Sequence, residues 1–234
     1  MISSTVHTYG EAALYVQVDG SNRNDVWWAT HAFARRVAEL DGVLNVVPTY
    51  DTIFVEFDIT MADSATLRGT IDGLLRSRMR RPAVASAGRR FVVPVVYGGA
   101  RGPDLRRLAD HMSMSEAALV RSHTRRALTI RCLAGPLGGP MMSGPGLPHD
   151  VPRQTSPRAV VEAGSVLLAG RQSFIKTMDG PGGWQIIGAT PLRLVDLAHD
   201  PLVPWRPGDS IQFRAIEESD WAAYDGARPG CHDD

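Results

Sequence analysis

Residues 91–105 read FVVPVVYGGARGPDL and combine a buried strand, a tight turn and the start of a helix. The run from Phe91 to Tyr97 is apolar, which predicts a strand inside a hydrophobic core. Gly98 and Gly99 end that strand, and Pro103 suits the first turn of a short helix. We therefore expect a domain of its own to begin near Phe91.

The sequence after Phe91 is typical of a β-rich domain. Ser113 and Glu116 have the spacing of a capping box, which predicts a helix running toward His123. Beyond Arg125, short apolar runs alternate with dense glycine and proline. Many short strands between such turns favour a barrel or a sandwich over residues 89–216. Residues 217–234 mix glycine, proline and acidic residues without apolar periodicity, which predicts a loosely ordered tail.

Residues 1–88 have a different pattern. Leu14, Val16 and Val18 alternate with polar residues up to Gly20, as in a half-buried strand. Asn24 or Asp25 can cap the helix that follows. Further apolar patterns predict strands over residues 43–47 and 53–57 and a second amphipathic helix over residues 67–74. This order predicts an α+β domain, a small α/β sandwich with helices on one face of a sheet, that ends in a linker between Arg80 and Arg90.

The composition excludes several functions. The chain has 234 residues, with 25 Lys and Arg against 25 Asp and Glu, so it has no excess positive charge to hold nucleic acid. No apolar run reaches the roughly 20 residues that cross a bilayer, and we expect a cytoplasmic protein. Cys132 and Cys231 fit neither a disulfide framework nor a metal site, so we predict no metal.

Several segments, in order along most of the chain, resemble one known family. It is the family of the bacterial 5-oxoprolinase B subunit, also described as allophanate hydrolase subunit 1, as a carboxyltransferase-type subdomain, and in part as inhibitors of a sporulation kinase. The matching segments are Gly10-Glu11, Gly42-Val43, Pro48 and Tyr50; Val93 to Val95, Tyr97 to Gly99 and Gly102 to Leu105; His123; Pro157-Arg158, Ala163 to Val166, Gln172, Pro181 to Trp184, Gly188 and Thr190-Pro191; and Pro207 to Asp209.

The resemblance implies a fold, an activity and a partner. It implies a cyclophilin-like β-barrel for the C-terminal domain and a companion subunit of related fold, similar to the 5-oxoprolinase C subunit or to allophanate hydrolase subunit 2. The implied reaction is the ATP-dependent opening of 5-oxoproline, a small-molecule substrate; in fused urea-processing enzymes the related region transfers a carboxyl group from biotin. ATP is implied by the resemblance alone, because the glycine-rich residues 135–146 are not followed by the Lys-Ser or Lys-Thr of a phosphate loop.

The same resemblance identifies candidate site residues. His123 is a candidate acid or base, or else a helix-end histidine that meets terminal carbonyls. Arg158 can bind a carboxylate or phosphate, or form a structural ion pair. Gln172 can pair with a lactam or amide, or satisfy backbone at a strand end. The turn Pro181-Gly182-Gly183-Trp184 is a candidate substrate-binding segment, unless Trp184 is simply barrel core.

One segment departs from the family pattern. Where the family has three aromatic residues, residues 134–142 read AGPLGGPMM. Met141 and Met142 offer an adaptable apolar surface, so we expect this loop and Trp184 to contact the companion subunit. The change also leaves open a second hypothesis, in which the chain is a non-catalytic regulatory protein of the same fold that docks on a kinase or another subunit.

Overall fold

The computed structural model describes residues 2–76 and 88–232. The chain divides into two compact units, Met1–Ser86 and Ala87–Asp234. Most of the predicted linker, residues 77–87, lies outside the described residues, so the linker stays a prediction. Within residues 2–76 and 88–232, no helix is both long enough and apolar enough to span a bilayer.

In residues 2–76 an antiparallel sheet carries two helices. The elements are β1 (Ile2–Thr8), β2 (Ala13–Gly20), α1 (Arg23–Val37), β3 (Val43–Pro48), β4 (Thr52–Phe57) and α2 (Ser64–Arg76). The strands lie in the order β1-β2-β4-β3. Strand β1 was not predicted, because only Val6 of its seven residues is buried and the segment shows no apolar alternation.

The core of this unit lies on one face of the sheet. Leu14, Val16 and Val18 of β2 are buried together with Phe33 and Val37 of α1, since successive strand residues point to opposite faces and only one face is covered. Helix α1 begins slightly earlier than predicted. Its cap is Asn22, whose side chain accepts hydrogen bonds from the backbone N–H groups of residues 24 and 25, so the predicted caps are wrong.

The second unit contains the remaining elements. They are β5 (Arg90–Tyr97), α3 (Leu105–His111), α4 (Glu116–Thr124), β6 (Leu128–Ala134), β7 (Gly139–Ser143), β8 (Arg158–Val161), β9 (Ser165–Ala169), β10 (Gln172–Ile175), β11 (Gly180–Gly182), β12 (Gln185–Ala189), β13 (Ser210–Ala215), α5 (Trp221–Tyr224) and β14 (Cys231–His232). Among these, seven strands close a barrel in the order β5-β12-β9-β10-β7-β6-β13, and β13 pairs with β5 in parallel. The predicted α+β class with a C-terminal cyclophilin-like β-barrel is confirmed.

The barrel closes where β5 meets β12. A Cβ on Gly188 would lie 2.6 Å from the carbonyl oxygen of Val96, and one on Gly102 would lie 2.1 Å from the carbonyl oxygen of Ile187. These approaches are shorter than any side chain allows, so glycine is required at both positions. The close contacts where the barrel closes therefore explain why two positions of the family pattern are glycine.

Helix α4 begins differently from the prediction. Its cap is Ser115, whose side chain accepts a hydrogen bond from the N–H of Ala118. Ser113 instead adopts a φ of 54° in the turn before the helix. The predicted capping box of Ser113 and Glu116 is thus wrong, although the helix does run to His123 as expected.

The segment after β13 differs from the expected loose tail. The guanidinium of Arg101 lies 3.6 Å from the ring centroid of Trp221 and 3.1 Å from a carboxylate oxygen of Glu218. Tyr224 packs against the barrel core, and Cys231 pairs with Phe91 at the edge of β5. The composition of residues 217–234 did not predict these contacts, because they are made with residues distant along the chain and leave no local periodicity.

Candidate functional site

His123 lies inside the barrel, with none of its surface exposed. Its Nδ1 is 2.7 Å from the Tyr97 hydroxyl and its Nε2 is 2.9 Å from Oγ of Ser173. The imidazole also lies against the Phe213 ring, with centroids 4.3 Å apart. Each ring nitrogen therefore has a hydroxyl partner, and neither faces solvent.

Burial keeps this network neutral. Removal from water lowers the pKa of His123 to about 3 and raises the pKa of Tyr97 well above its usual value, because a low-dielectric interior disfavours the charged form of both groups. A neutral imidazole donates through one nitrogen and accepts through the other, which matches its two hydroxyl partners. This geometry favours neither predicted role of His123: the histidine joins strands in the barrel interior.

Arg158, at the start of β8, is positioned by a buried carboxylate. Its Nη2 lies 2.8 Å from Oδ1 of Asp104, and the other carboxylate oxygen accepts a 2.8 Å hydrogen bond from the N–H of Ile186. Burial raises the pKa of Asp104, but Arg158, this N–H and Arg107 outweigh it and hold the pKa below its usual value. The carboxylate is therefore ionised and fixed between α3, β8 and β12.

One nitrogen of Arg158 is unused. Its Nη1 is buried and has no hydrogen-bond partner in the described part of the chain, while the side chain as a whole remains 31% exposed. A buried donor without an acceptor costs about 1–3 kcal/mol, and more when it is charged. The structure therefore shows the ion pair, one of the two alternatives given for Arg158, and forms it through Nη2.

Two glutamines and Arg107 extend the cluster around Asp104. Nη2 of Arg107 lies 3.2 Å from Asp104 Oδ1, 2.8 Å from Gln185 Oε1 and 2.9 Å from Gln154 Oε1. Gln185 is buried and donates a 2.6 Å hydrogen bond to the carbonyl of Pro152. The loop before β8 is therefore tied to the first residues of β12.

The turn Pro181-Gly182-Gly183-Trp184 lies beside Arg158. Strands β8 and β11 pair as a separate two-stranded antiparallel sheet in which Gly182 is opposite Arg158. The ring of Trp184 meets that of Phe174 with centroids 5.9 Å apart, and both pack on a small cluster formed by Val161, Leu167 and Ile186. Trp184 is therefore only partly buried and belongs to the outer surface of the barrel, not to its interior.

Gln172 and Met141 lie on the same outer surface. Ser173 is fully buried, so its neighbours Gln172 and Phe174 point outward from β10. Met141 pairs with Phe174 across β7 and β10. We call the residues Met141, Gln172, Phe174 and Trp184 the outer shelf.

The prediction that Met141 and Met142 lie together on a surface loop is wrong. Residues 139–143 form strand β7 instead of a loop, and Met142 is fully buried in the barrel core. Because strand residues alternate between faces, Met141 and Met142 cannot both face a partner. Only Met141 is available on the surface.

The structure divides the candidate residues between two places. Arg158 lies beside the Pro181–Trp184 turn, and Trp184 lies with Gln172 on the outer shelf; His123 is inside the barrel, behind β10. Sequence reasoning did not single out Asp104, Gln185 and Ser173, although Asp104 belongs to the quoted Gly-Pro-Asp-Leu motif. Over residues 2–76 and 88–232, no group of three or more His, Cys, Asp or Glu could hold a metal ion.

Comparison with known proteins agrees with this architecture. Residues 4–205 match the family model for the carboxyltransferase domain, subdomain C and D. The chain is 32% identical over 210 residues to a protein of Escherichia coli that is named as the B subunit of 5-oxoprolinase, covering 87% of this chain and 92% of that one. It is 30% identical over 229 residues to the protein of the same name from Bacillus subtilis, covering 94% and 95%.

A solved structure extends the likeness in fold. The urea carboxylase of Kluyveromyces lactis superposes with a TM-score of 0.80 at 14% identity, over 98% of this chain and 24% of that one. This chain thus corresponds to about a quarter of that enzyme, and the likeness concerns the fold. By sequence, the chain belongs to the carboxyltransferase domain family, subdomains C and D, and within it to the group of 5-oxoprolinase B subunits.

Proposed function

We propose that this chain is one subunit of a two-subunit, ATP-dependent amidohydrolase of the 5-oxoprolinase type, which acts on a small lactam or amide in the cytoplasm. The observation that carries the proposal is coverage: the match to relatives named as 5-oxoprolinase B subunits includes both units of the chain and nearly the whole of each relative. A name of this kind supports a complex with at least one companion.

The outer surface of the barrel supports a binding role. Arg158 offers a fixed cationic donor, Gln172 offers an amide that both donates and accepts, and Trp184 offers a partly buried aromatic face. Opening a lactam requires donors near the carbonyl oxygen, where negative charge develops. Arg158, Gln172 and the backbone of the Pro181–Trp184 turn have the chemistry for that task.

ATP would transfer its γ-phosphoryl group to the lactam oxygen and leave as ADP. Water would then add to the carbonyl carbon, the ring C–N bond would break, and a second hydrolysis would release inorganic phosphate and glutamate. We assign the nucleotide to the complex and to no particular residue of this chain. His123 is not placed at the reacting atoms, because it is enclosed in the barrel and its pKa of about 3 keeps it neutral. In this proposal it fixes β10, and through β10 the outward-facing Gln172.

The outer shelf also supports association with a companion of related fold. Met141, Phe174 and Trp184 provide partly buried apolar and aromatic groups on one surface, and such residues are enriched in protein interfaces. A site completed by a second subunit would be inactive in either partner alone.

Reconstitution tests the proposal. The chain, a companion that resembles the 5-oxoprolinase C subunit, and their mixture are each assayed for ADP and glutamate formed from ATP and 5-oxoproline. We expect both products from the mixture only. Turnover by this chain alone would refute the two-subunit site, and a stable complex without turnover would favour the regulatory binding protein.

A further inference from the structure

We propose that a cleft beside α4 binds a phosphate monoester with a flat apolar body, and that Arg121 and Arg125 hold its phosphate. The cleft has a volume of about 520 Å³, within the range of roughly 300–1,000 Å³ that is usual for sites of small organic molecules. Its lining comes from α4 and the turn before it: Met114, Ala118, Arg121, Ser122, Thr124 and Arg125.

The cleft belongs to a different part of the barrel from the outer shelf. Helix α4 packs on β13, whose neighbours in the barrel are β5 and β6. The outer shelf lies on β7, β10 and the residue before β12. A ligand beside α4 is therefore an addition to the proposed reaction and takes none of its steps.

The fold does not use the two guanidinium groups that border the cleft. Arg121 and Arg125 are exposed, and in the described part of the chain neither guanidinium has a hydrogen bond or an ion pair. Arginines near the end of a helix can satisfy its last carbonyl groups. Here the carbonyl of Val120 accepts a 2.9 Å hydrogen bond from Oγ1 of Thr124, and that of Thr124 accepts one from the Gln212 amide. These carbonyls therefore leave the arginines available to a ligand.

The charge of the cleft matches a phosphate better than a carboxylate. Arg121 and Arg125 are one helical turn apart on the same face, where like charges repel. The one acidic residue of α4 is Glu116, at its first turn, and its carboxylate lies toward Gly98. A phosphate monoester carries nearly two negative charges and three acceptor oxygens, so one group can accept from both guanidiniums and balance their charge.

The deeper part of the cleft is apolar. Met114 and Ala118 are partly buried, in contrast to the exposed arginines, and Met114 packs against the barrel core. A thioether makes favourable contacts with aromatic rings and adapts to their shape. The ligand that fits therefore has its phosphate at the rim and a planar, largely apolar group against Met114.

The test separates the two parts of the ligand. Binding of AMP, adenosine and inorganic phosphate to the full chain is measured by isothermal titration calorimetry; adenosine lacks the phosphate, and inorganic phosphate lacks the planar body. We expect AMP to bind at least tenfold more tightly than either. Arg121→Gln and Arg125→Gln should each weaken AMP at least tenfold and leave adenosine unchanged, whereas Met114→Ala should weaken AMP and leave inorganic phosphate unchanged.

Arg106→Gln is the matched control. Arg106 lies on α3, is exposed, and likewise has no side-chain partner in the described part of the chain, so its replacement removes the same charge outside the cleft. It should leave the affinity for AMP unchanged. All three arginine variants should melt with the wild type, which separates a loss of binding from a loss of fold.

Three results would overturn the proposal. Equal weakening of AMP by Arg106→Gln would show attraction by the charge of the whole chain instead of a site. Inorganic phosphate that binds as tightly as AMP would show that the apolar part of the cleft contributes nothing. Absence of AMP binding by the wild type would remove the site altogether. The measurement needs neither the companion nor turnover, so its outcome is independent of the proposed function.

Discussion

His123 shows how burial decides the role of a single residue. A histidine in water titrates near pH 6.5, whereas this one has a pKa of about 3 because no solvent reaches it. Its two hydroxyl partners, Tyr97 and Ser173, satisfy the neutral ring. The residue therefore stabilises the barrel most when it is uncharged.

A pH dependence of stability follows from this shift. The folded pKa lies below the unfolded one, so the contribution of His123 is complete above pH 6.5 and is lost as the pH falls from 6.5 toward 3. The loss should be about 1.4 kcal/mol per pH unit in that range. Denaturant unfolding of the wild type at pH 7, 6 and 5 measures it.

Two variants isolate the contribution of this residue. His123→Gln should remove most of that slope, whereas His111→Gln, at an exposed helix position, should retain it. NMR titration of the wild type provides a check that does not depend on a variant folding: the ring of His123 should stay neutral down to pH 5. A histidine at this position that protonates near pH 6.5 would contradict its burial.

For individual residues, the sequence indicated which side chains are candidates for a site better than it indicated which residues they contact. Arg158 and the turn Pro181–Trp184 were identified as candidates, and Gly182 of that turn does pair with Arg158 across β8 and β11. Asp104, the partner of Arg158, is 54 residues away from it along the chain, and no local pattern links the two. The local sequence likewise could not predict the burial of His123, because that burial depends on Ser173 and Phe213 from distant strands.

Strand β7 is an element that the local sequence did not predict. The dense glycine and proline of residues 135–146 predicted a loop, yet Gly139–Ser143 pairs with both β6 and β10. A Cβ on Gly139 would lie 2.4 Å from the Phe174 ring, so a larger residue there would require that ring to move. By contrast, the strand at Arg90–Tyr97 was predictable, since it is apolar along nearly its whole length.

The alternation in β7 predicts opposite effects for its two methionines. Met142→Asp places a carboxylate in the barrel core and should destabilise the fold by several kcal/mol, the order expected for an unpaired buried charge. Met141→Asp, on the outer shelf, should leave the thermal melt of the chain near that of the wild type. It should instead weaken association with the companion at least tenfold.

Thermal melts and co-purification with the companion measure these two effects. Each methionine variant is the control for the other, because the chemical change is the same and only the face of the strand differs. Equal melts for both variants would contradict the placement of Met142, and intact association of Met141→Asp would remove the outer shelf from the interface.

For the whole molecule, the composition predicts a boundary between two domains near residues 80–90. Proline, alanine, serine and glycine between Arg80 and Arg90 lack the periodicity of a helix or strand. We expect limited proteolysis to cut first in this range, because linkers between domains are preferred cleavage sites. Resistance there, with cuts between residues 10 and 60 instead, would refute the linker assignment.

The central claim is that this chain is half of an enzyme, and a titration tests it most directly. The companion is held at a fixed concentration, this chain is added in increasing amounts, and 5-oxoproline-dependent formation of glutamate and ADP is followed. We predict no products from either chain without its partner, and a rate that rises and saturates at a fixed molar ratio. Turnover that needs only one of the two chains, or none at any ratio, would contradict the account.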